Sequence, residues 1–326
     1  MTVALITHPD CARHDMGSAH PESPARLWAI HDQLVASRLE SVLRHYEAPA
    51  ATREQLERVH DPEYVESIFR TSPAAGLVAL DPDTAMNPHT LSAALHAAGA
   101  TVLGVDLVMR GDAGAVFCSV RPPGHHAERH RAMGFCFFNN VAVGAAHALA
   151  VHGLERVAIL DFDVHHGNGT EDIFGEDARV LFCSSFQHPF YPYSGATPTA
   201  EHVINTPLAR GAGGAEFRRA VTTRWLPALD AFRPQLVMCS AGFDAHRDDE
   251  LAELNLTESD YYWVTEQIKT IADRHARGRI VSTLEGGYDL PALGRSVVAH
   301  VHALLARPRP TPAREPGRTQ AASRGL

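Results

Sequence analysis

The segment RVAILDFDVHHGNGT, residues 156–170, places two Asp and two His directly behind an apolar run. Residues i and i+2 of an extended chain project to the same side, so Asp163 and His165 can reach one ion. Asp244 closes another apolar run and can supply a third ligand. Such a ligand set with open positions is typical of a catalytic divalent cation, which activates water and polarises a carbonyl. For residues 163–165 alone, a solvated loop is the alternative interpretation.

Two further histidines, His125 and His126, are adjacent in the segment RPPGHHAE. Two prolines and a glycine favour an irregular turn that holds both imidazoles by the backbone. Like charges push the pKa values of neighbouring imidazoles apart, which suits one base and one electrostatic partner. Each imidazole needs an orienting group on its far nitrogen, and Asp161 and Asn168 are the candidates. An exposed loop is the alternative for the dipeptide in isolation.

A tyrosine and several aromatic residues complete the candidate chemistry. Tyr288 follows two glycines in LEGGY, and its phenol could donate to an oxyanion opposite the metal, although a packing role is the alternative. Phe135 in MGFCFFNN could wall a narrow pocket. Phe190 or Tyr191 in HPFYPYSG could supply the opposite wall.

These residues must be positioned by a sheet. Short runs that are continuously apolar predict strands covered on both faces, as in a parallel sheet. Ligands of open parallel α/β sheets bind at the carboxyl ends of the strands, so the polar segments behind these runs are expected to meet at one edge. The predicted strands are 3–7, 114–120, 156–162, 179–186, 235–243 and 279–287.

Ala- and Leu-rich helical segments alternate with these strands. The pattern predicts an α/β fold with helices on both faces of a mostly parallel sheet. A single domain is expected over residues 1–306, and the Pro- and Arg-rich tail 307–326 is expected to be disordered. The predicted helices are 24–37, 53–58, 62–70, 88–109, 139–152, 215–231, 257–277 and 291–306.

Composition excludes several classes of protein. The chain has 326 residues, 45% of them hydrophobic, and a net charge of −9, which argues against nucleic-acid binding. Five cysteines without a CxxC pair favour free thiols in a reducing compartment, and a cytoplasmic location is expected. The first residues lack the pattern of a signal peptide, and no membrane association is expected. The oligomeric state stays open, and a homo-oligomer is compatible with the sequence.

Five motifs in order, RPPGHHA, GFCFFNN, DFDVHHGNGT, SAGFDAH and LEGGY, resemble the histone deacetylase and acetylpolyamine amidohydrolase family, with the class II-like bacterial branch closest. The resemblance covers about residues 1–305. It implies an arginase-like α/β fold and one catalytic zinc ion held by Asp163, His165 and Asp244. The implied reaction is hydrolysis of an acetylated lysine, or of another acetylated amine, to acetate and the free amine.

The resemblance also implies roles for the other residues. His126 would be the general base and acid, His125 its electrostatic partner, and Tyr288 the group that polarises the acetyl carbonyl. Asp161 would lie behind His125. Asn168 would lie behind His126, where class I members carry Asp, and would make His126 less basic. The remaining implied groups are a structural potassium ion near Asp161, Asp163, His165 and Ser184; a substrate tunnel lined by Phe135, Tyr191, Gly134 and Leu251; an internal cavity with Arg26; and a rim residue, Asp83.

Three other functions stay open at the level of the sequence. An acetylpolyamine amidohydrolase is the first. Leu251 stands where one polyamine-selective relative has Glu, which favours acyl-lysine, although the acidic residues at 248–250 could attract a cation. The second is a non-catalytic protein that binds an acylated ligand. The third is a manganese ureohydrolase of related fold with two metals.

Overall fold

Eight parallel strands form one sheet in the computed structural model, which describes residues 2–306. The order across the sheet is β2-β1-β5-β10-β9-β6-β7-β8. A small antiparallel hairpin, β3 with β4, lies outside it. The strands are β1 (Val3–Thr7), β2 (Arg44–Glu47), β3 (Val78–Asp81), β4 (Thr84–Met86), β5 (Ala115–Cys118), β6 (Val157–Asp161), β7 (Val180–Gln187), β8 (Val203–Leu208), β9 (Leu236–Ala241) and β10 (Ile280–Leu284).

Helices cover both faces of this sheet. Successive strand residues point to opposite faces, so Ile159 packs in one apolar core and Leu160 in the other. The α4 and α5 side forms the first core, and the α1, α9 and α10 side forms the second. The helices are α1 (Ala25–Ala36), α2 (Arg53–Glu57), α3 (Pro62–Thr71), α4 (Thr90–Arg110), α5 (Asn140–Val151), α6 (Asn168–Phe174), α7 (Gly214–Ala220), α8 (Leu226–Phe232), α9 (Glu258–His275) and α10 (Leu290–Leu305).

The predicted α/β fold with a parallel sheet and helices on both faces is confirmed, and every strand pairing in the large sheet is parallel. The predicted helix 215–231 corresponds to α7 and α8, which a π-helical turn at Val221–Trp225 joins without a break in the helical backbone. The predicted strand 279–287 ends at Leu284, so the LEGGY motif largely forms a loop. The predicted disordered tail lies outside the described residues.

Helix α4 is long and apolar enough to cross a membrane, by length and composition alone, although no membrane association was expected from the sequence. In the fold, 67% of its most apolar window is buried. Its residues pack against α5 and against strands of the sheet, as in the core helix of an α/β domain.

The strand order brings the predicted chemical segments together. Strands β5, β10, β9 and β6 are consecutive neighbours at the middle of the sheet. The loops that follow them carry RPPGHH, EGGY, FDAH and DVHH, in that spatial order. Because all four strands are parallel, these loops leave the same edge of the sheet.

Candidate active site

Three potential metal ligands converge behind β6 and β9. The Nδ1 atom of His165 lies 3.0 Å from Asp163 Oδ1 and 3.2 Å from Asp244 Oδ2. Both carboxylates are buried and the imidazole is nearly so. The structure thus brings the three predicted ligands to one point.

The second oxygens of these carboxylates are held by the backbone. Asp163 Oδ2 accepts a hydrogen bond from Gly286 N at 2.8 Å, and Asp244 Oδ1 accepts one from Val164 N at 2.9 Å. Glycine is required at 286, because a Cβ atom there would lie 2.0 Å from Asp244 Oδ2. The one hydrogen on His165 Nδ1 can serve only one carboxylate, and Asp244 Oδ2 has no hydrogen-bond partner among the described residues. A buried carboxylate oxygen left without a donor fits a bound cation.

The charges at this point also fit a cation. Burial and the charge of Asp163 raise the pKa of Asp244 to about 6. Burial alone would lower the pKa of His165, but the adjacent carboxylates of Asp163 and Asp244 raise it to about 10. A divalent cation would displace the proton and neutralise the carboxylates. Two oxygens and one imidazole nitrogen suit zinc or iron(II).

Two histidine dyads stand beside these ligands. His125 Nδ1 lies 2.9 Å from Asp161 Oδ2, and His126 Nδ1 lies 2.7 Å from Asn168 Oδ1. The two imidazole centroids are 4.0 Å apart. Burial opposes the charged form of His125, but Asp161 and Asp163 raise its pKa to about 10. Burial and then the charges of the neighbouring histidines hold the pKa of His126 well below its usual value. One imidazole therefore carries charge while the other is neutral.

Tyr288 lies on the loop behind β10, with its ring facing an aromatic wall. Its centroid is 5.9 Å from that of Phe135, at an interplanar angle of 85°. The Arg26 guanidinium lies 4.9 Å from the Tyr288 ring centroid, on the inner side. Tyr191 stands 5.4 Å from the His126 ring, edge to face. The predicted tunnel residues Phe135 and Tyr191 thus lie next to the predicted catalytic groups.

The predicted tunnel residue Gly134 and the predicted rim residue Asp83 contact each other behind this wall. Gly134 has φ of 56°, and a Cβ atom there would lie 2.5 Å from His126 Cδ2, so the chain can pass the imidazole only at a glycine. Asp83 Oδ1 accepts hydrogen bonds from Gly134 N at 3.2 Å and from Thr84 Oγ1 at 2.8 Å. The predicted tunnel residue Leu251 is exposed at 36% on the loop that follows β9 and Asp244.

Beneath the site, Arg26 is fully buried and donates hydrogen bonds to the carbonyl oxygens of Gly287 and Glu285 and to Glu22 Oε1. Glu22 also pairs with buried Arg121. Arg26 was predicted to lie in an internal cavity, and the structure places its side chain in the protein interior. Glu22 lies in the segment HPESPAR, residues 20–26, and Arg121 lies in RPPGHHAE, but no function was predicted for either.

No role in the site was predicted for Glu285 or Glu128, and Asp249 was considered only among the acidic residues that could attract a cation, although it is buried. Glu285 Oε2 accepts from the backbone N–H groups of Gly124 and His125, at 2.6 and 3.1 Å. Asp249 Oδ2 accepts from Tyr288 N at 2.6 Å and thereby anchors the phenol-bearing loop. Glu128 accepts from Asn168 Nδ2 at 2.7 Å. Glu285 and Glu128 stood inside the quoted motifs LEGGY and RPPGHHAE, so motif membership was the available signal.

Comparison with known proteins places the chain in a family. The histone deacetylase domain family matches residues 20–304. The histone deacetylase-like amidohydrolase of Pseudomonas aeruginosa is 39% identical over 291 residues, 86% of this chain and 76% of that protein. Polyamine deacetylase HDAC10 of Homo sapiens is 36% identical over 332 residues, 95% of this chain and 49% of that protein. The crystal structure of the HDA15 HD domain superposes with a TM-score of 0.88 at 33% identity, covering 95% of this chain and 90% of the other.

The chain belongs to the histone deacetylase family. The predicted family resemblance and deacetylase-like fold are confirmed by the matched domain and by the superposed structure. The names of its relatives support a hydrolytic deacetylase activity.

Proposed function

We propose that the protein is a zinc-dependent amidohydrolase that removes an acetyl or other acyl group from a lysine-like amine. The observation that carries this proposal is the convergence of Asp163, His165 and Asp244 beside two histidine dyads, one with a charged and one with a neutral imidazole. Aromatic side chains border this point: Tyr288 packs against Phe135 on one side of the proposed slot, and Tyr191 packs against His126 and His165.

The residues of the chain divide the reaction among themselves. Zinc held by the three ligands would polarise the amide carbonyl and make water more acidic. His126, neutral and with Nδ1 directed at Asn168, presents Nε2 as the base that takes a proton from the attacking water. The same nitrogen then returns the proton to the leaving amine. The Tyr288 phenol donates to the developing oxyanion, and the charged imidazolium of His125 adds electrostatic stabilisation.

A structural potassium ion is also part of the proposal. Asp161 and Ser184 are paired in register on β6 and β7. The buried Oγ of Ser184 has no hydrogen-bond partner among the described residues. Asp161 Oδ1 accepts from Asp163 N at 3.1 Å, which links this position to the metal ligands Asp163 and His165. Oxygen ligands of this kind suit a hard cation.

Acyl-lysine is the proposed substrate class, and acetylated polyamines are the second candidate. Leu251 is apolar and is linked to Tyr288 through Asp249, whose carboxylate accepts hydrogen bonds from the backbone N–H groups of both residues. An apolar residue at this position favours a substrate with no second amine at the end remote from the acyl group. The polyamine candidate draws support from the exposed acidic residues Asp248 and Glu250 of the same loop, which would attract a cationic tail. It also draws support from relatives named polyamine deacetylases.

A hydrolysis panel on protein of measured metal content tests these assignments. Acetyl-lysine peptides, longer acyl-lysine peptides and acetylputrescine would be compared by acetate or acid release. We expect the highest kcat/KM on an acyl-lysine peptide with one metal per chain. Faster turnover of acetylputrescine would move the assignment to the polyamine class. Two metals per chain would favour a ureohydrolase, and ligand binding without turnover would favour a non-catalytic acyl-binding protein.

A cytoplasmic location is proposed on the state of the thiols. All five cysteines are free and buried, as expected for a protein kept in a reducing compartment. The associated partners would be the acylated amine substrates, with no nucleic acid and no membrane. A homo-oligomer stays compatible with the proposal, and size-exclusion chromatography with light scattering would decide it.

A further inference from the structure

The amide of Asn168 faces the general base on one side and three acceptors on the other. Its Oδ1 lies 2.7 Å from His126 Nδ1. Its Nδ2 lies 2.7 Å from Glu128 Oε1, 3.3 Å from Met133 Sδ and 3.5 Å from the His126 carbonyl oxygen. Asn168 is 8% exposed, so water contributes little to this arrangement.

The three acceptors fix which way the amide points. An asparagine amide can rotate by half a turn and exchange its donor and acceptor ends in the same space. In the rotated form, the Asn168 oxygen would face the Glu128 carboxylate, the Met133 sulfur and a carbonyl, none of which can donate. Glu128 is the one anion among these acceptors, so it gives the largest penalty against rotation.

The orientation of Asn168 fixes the tautomer of His126. An oxygen at 2.7 Å from Nδ1 requires a proton on Nδ1, and a neutral imidazole then carries its lone pair on Nε2. With the amide rotated, its N–H would face Nδ1 and the proton would move to Nε2. A histidine with Nε2–H cannot take a proton at that atom. A carboxylate at position 168 would need no such control, because it is an acceptor at both ends.

We propose that Glu128 is a positioning residue. By orienting the amide of Asn168, it holds the imidazole of His126 in the tautomer that can act as a base. Glu128 touches neither the metal ligands nor the slot, and acts through the amide. Its backbone is anchored independently of its side chain, since its N–H donates to the Arg131 carbonyl and its carbonyl faces His60 Nδ1. Truncating the side chain therefore leaves the loop anchored. The proposal rests on the proposed function of His126 as base.

Four proteins test it by steady-state kinetics on an acetyl-lysine peptide: wild type, Glu128→Ala, Asn168→Asp and the double variant. We expect Glu128→Ala to lower kcat about tenfold, the worth of one charge-assisted hydrogen bond, with KM and bound zinc unchanged. In the Asn168→Asp background, Glu128→Ala should not lower kcat. It should raise kcat, because it removes the Glu128 carboxylate from beside the carboxylate introduced at position 168. An equal loss in both backgrounds would overturn the proposal and assign Glu128 a structural role.

Two further variants sharpen the comparison. Glu128→Gln keeps an acceptor oxygen for Asn168 Nδ2 and should recover most of the activity that Glu128→Ala loses. Arg131→Ala removes the exposed partner that lies 3.1 Å from the same Glu128 oxygen but leaves the oxygen in place. This control should retain wild-type kcat. A tenfold loss in Arg131→Ala would show that the outer ion pair, rather than the amide contact, matters.

A direct measurement separates this proposal from the proposed function. ¹⁵N-labelled histidine in the zinc-loaded protein reports which ring nitrogen of His126 is protonated, with the signal assigned by its loss in His126→Ala. We expect Nδ1–H alone in wild type and a mixture of tautomers in Glu128→Ala. A single unchanged tautomer in Glu128→Ala would overturn the proposal. If the wild type hydrolyses no acylated amine, the proposed function fails, and this spectrum still decides the role of Glu128.

Discussion

The histidines of the two dyads are adjacent in sequence and nearly in contact, yet their pKa values are shifted in opposite directions. His125 faces a carboxylate and has its pKa raised to about 10, whereas His126 faces a neutral amide and has its pKa held well below the usual value. Burial opposes charge on both imidazoles, but the Asp161 and Asp163 carboxylates overcome it at His125, whereas the charges of the neighbouring histidines add to it at His126. The carboxylate of Asp161 behind one ring and the neutral amide of Asn168 behind the other therefore contribute to the separation of the proposed electrostatic partner from the proposed base.

The largest effect is expected when the two imidazoles are removed one at a time. His126→Ala should lower kcat by about 10³-fold or more, because general acid and base catalysis are both lost. His125→Ala should cost less, about 10- to 100-fold, since it removes a charge but no proton transfer. Steady-state kinetics with zinc content measured on both variants checks this. Equal losses would mean that the dyads do not differ in role.

A loss smaller than that of His126→Ala is expected for a variant that leaves both dyads intact. Tyr288→Phe should lower kcat about 10²- to 10³-fold by removing one donor to the oxyanion. Zinc content should be unchanged, because Tyr288 is outside the ligand set. The pH profile should keep its shape, since the histidines still titrate as before. Near-normal turnover in this variant would remove Tyr288 from the reaction.

Metal loading offers a test that depends on pH. In the metal-free chain, His165 with a pKa of about 10 and Asp244 with a pKa of about 6 hold protons that a cation must displace. Raising the pH removes these protons in advance, so zinc affinity should rise about tenfold per pH unit between the two values and more steeply below pH 6. Competition with a chelator at several pH values measures this. A flat profile would show that binding releases no proton.

The smallest effect is expected when the His126 dyad is given a carboxylate, as the His125 dyad already has. Asn168→Asp places a carboxylate behind His126 and raises its pKa, as Asp161 does for His125. The base must be unprotonated, so the acidic limb of the kcat/KM profile should move to higher pH by about one unit or more. The basic limb should stay in place. An unmoved acidic limb would mean that the far partner does not set the pKa of His126.

The sequence was informative where chemistry follows a buried strand. Asp163, His165 and Asp244 could be predicted because apolar strands end in polar residues with no packing role. The edge strands β2 and β8 could not, because RHYE is polar and VINTPL contains a proline, and both patterns are atypical of a covered strand. The contribution of Glu128 depends on which end of an amide faces it, and that relation exists only in three dimensions.

The strand order carries a consequence for how such a protein can diversify. The proton-transfer and ligand segments leave β5, β10, β9 and β6, which have hydrogen-bonded neighbours on both sides and should be the last to exchange their amide protons with solvent. Tyr191 and Leu251 lie instead on loops, where insertions and exchanges are tolerated. Replacement of these loops can therefore change which acyl chain is preferred, while the candidate catalytic residues behind the central strands stay the same.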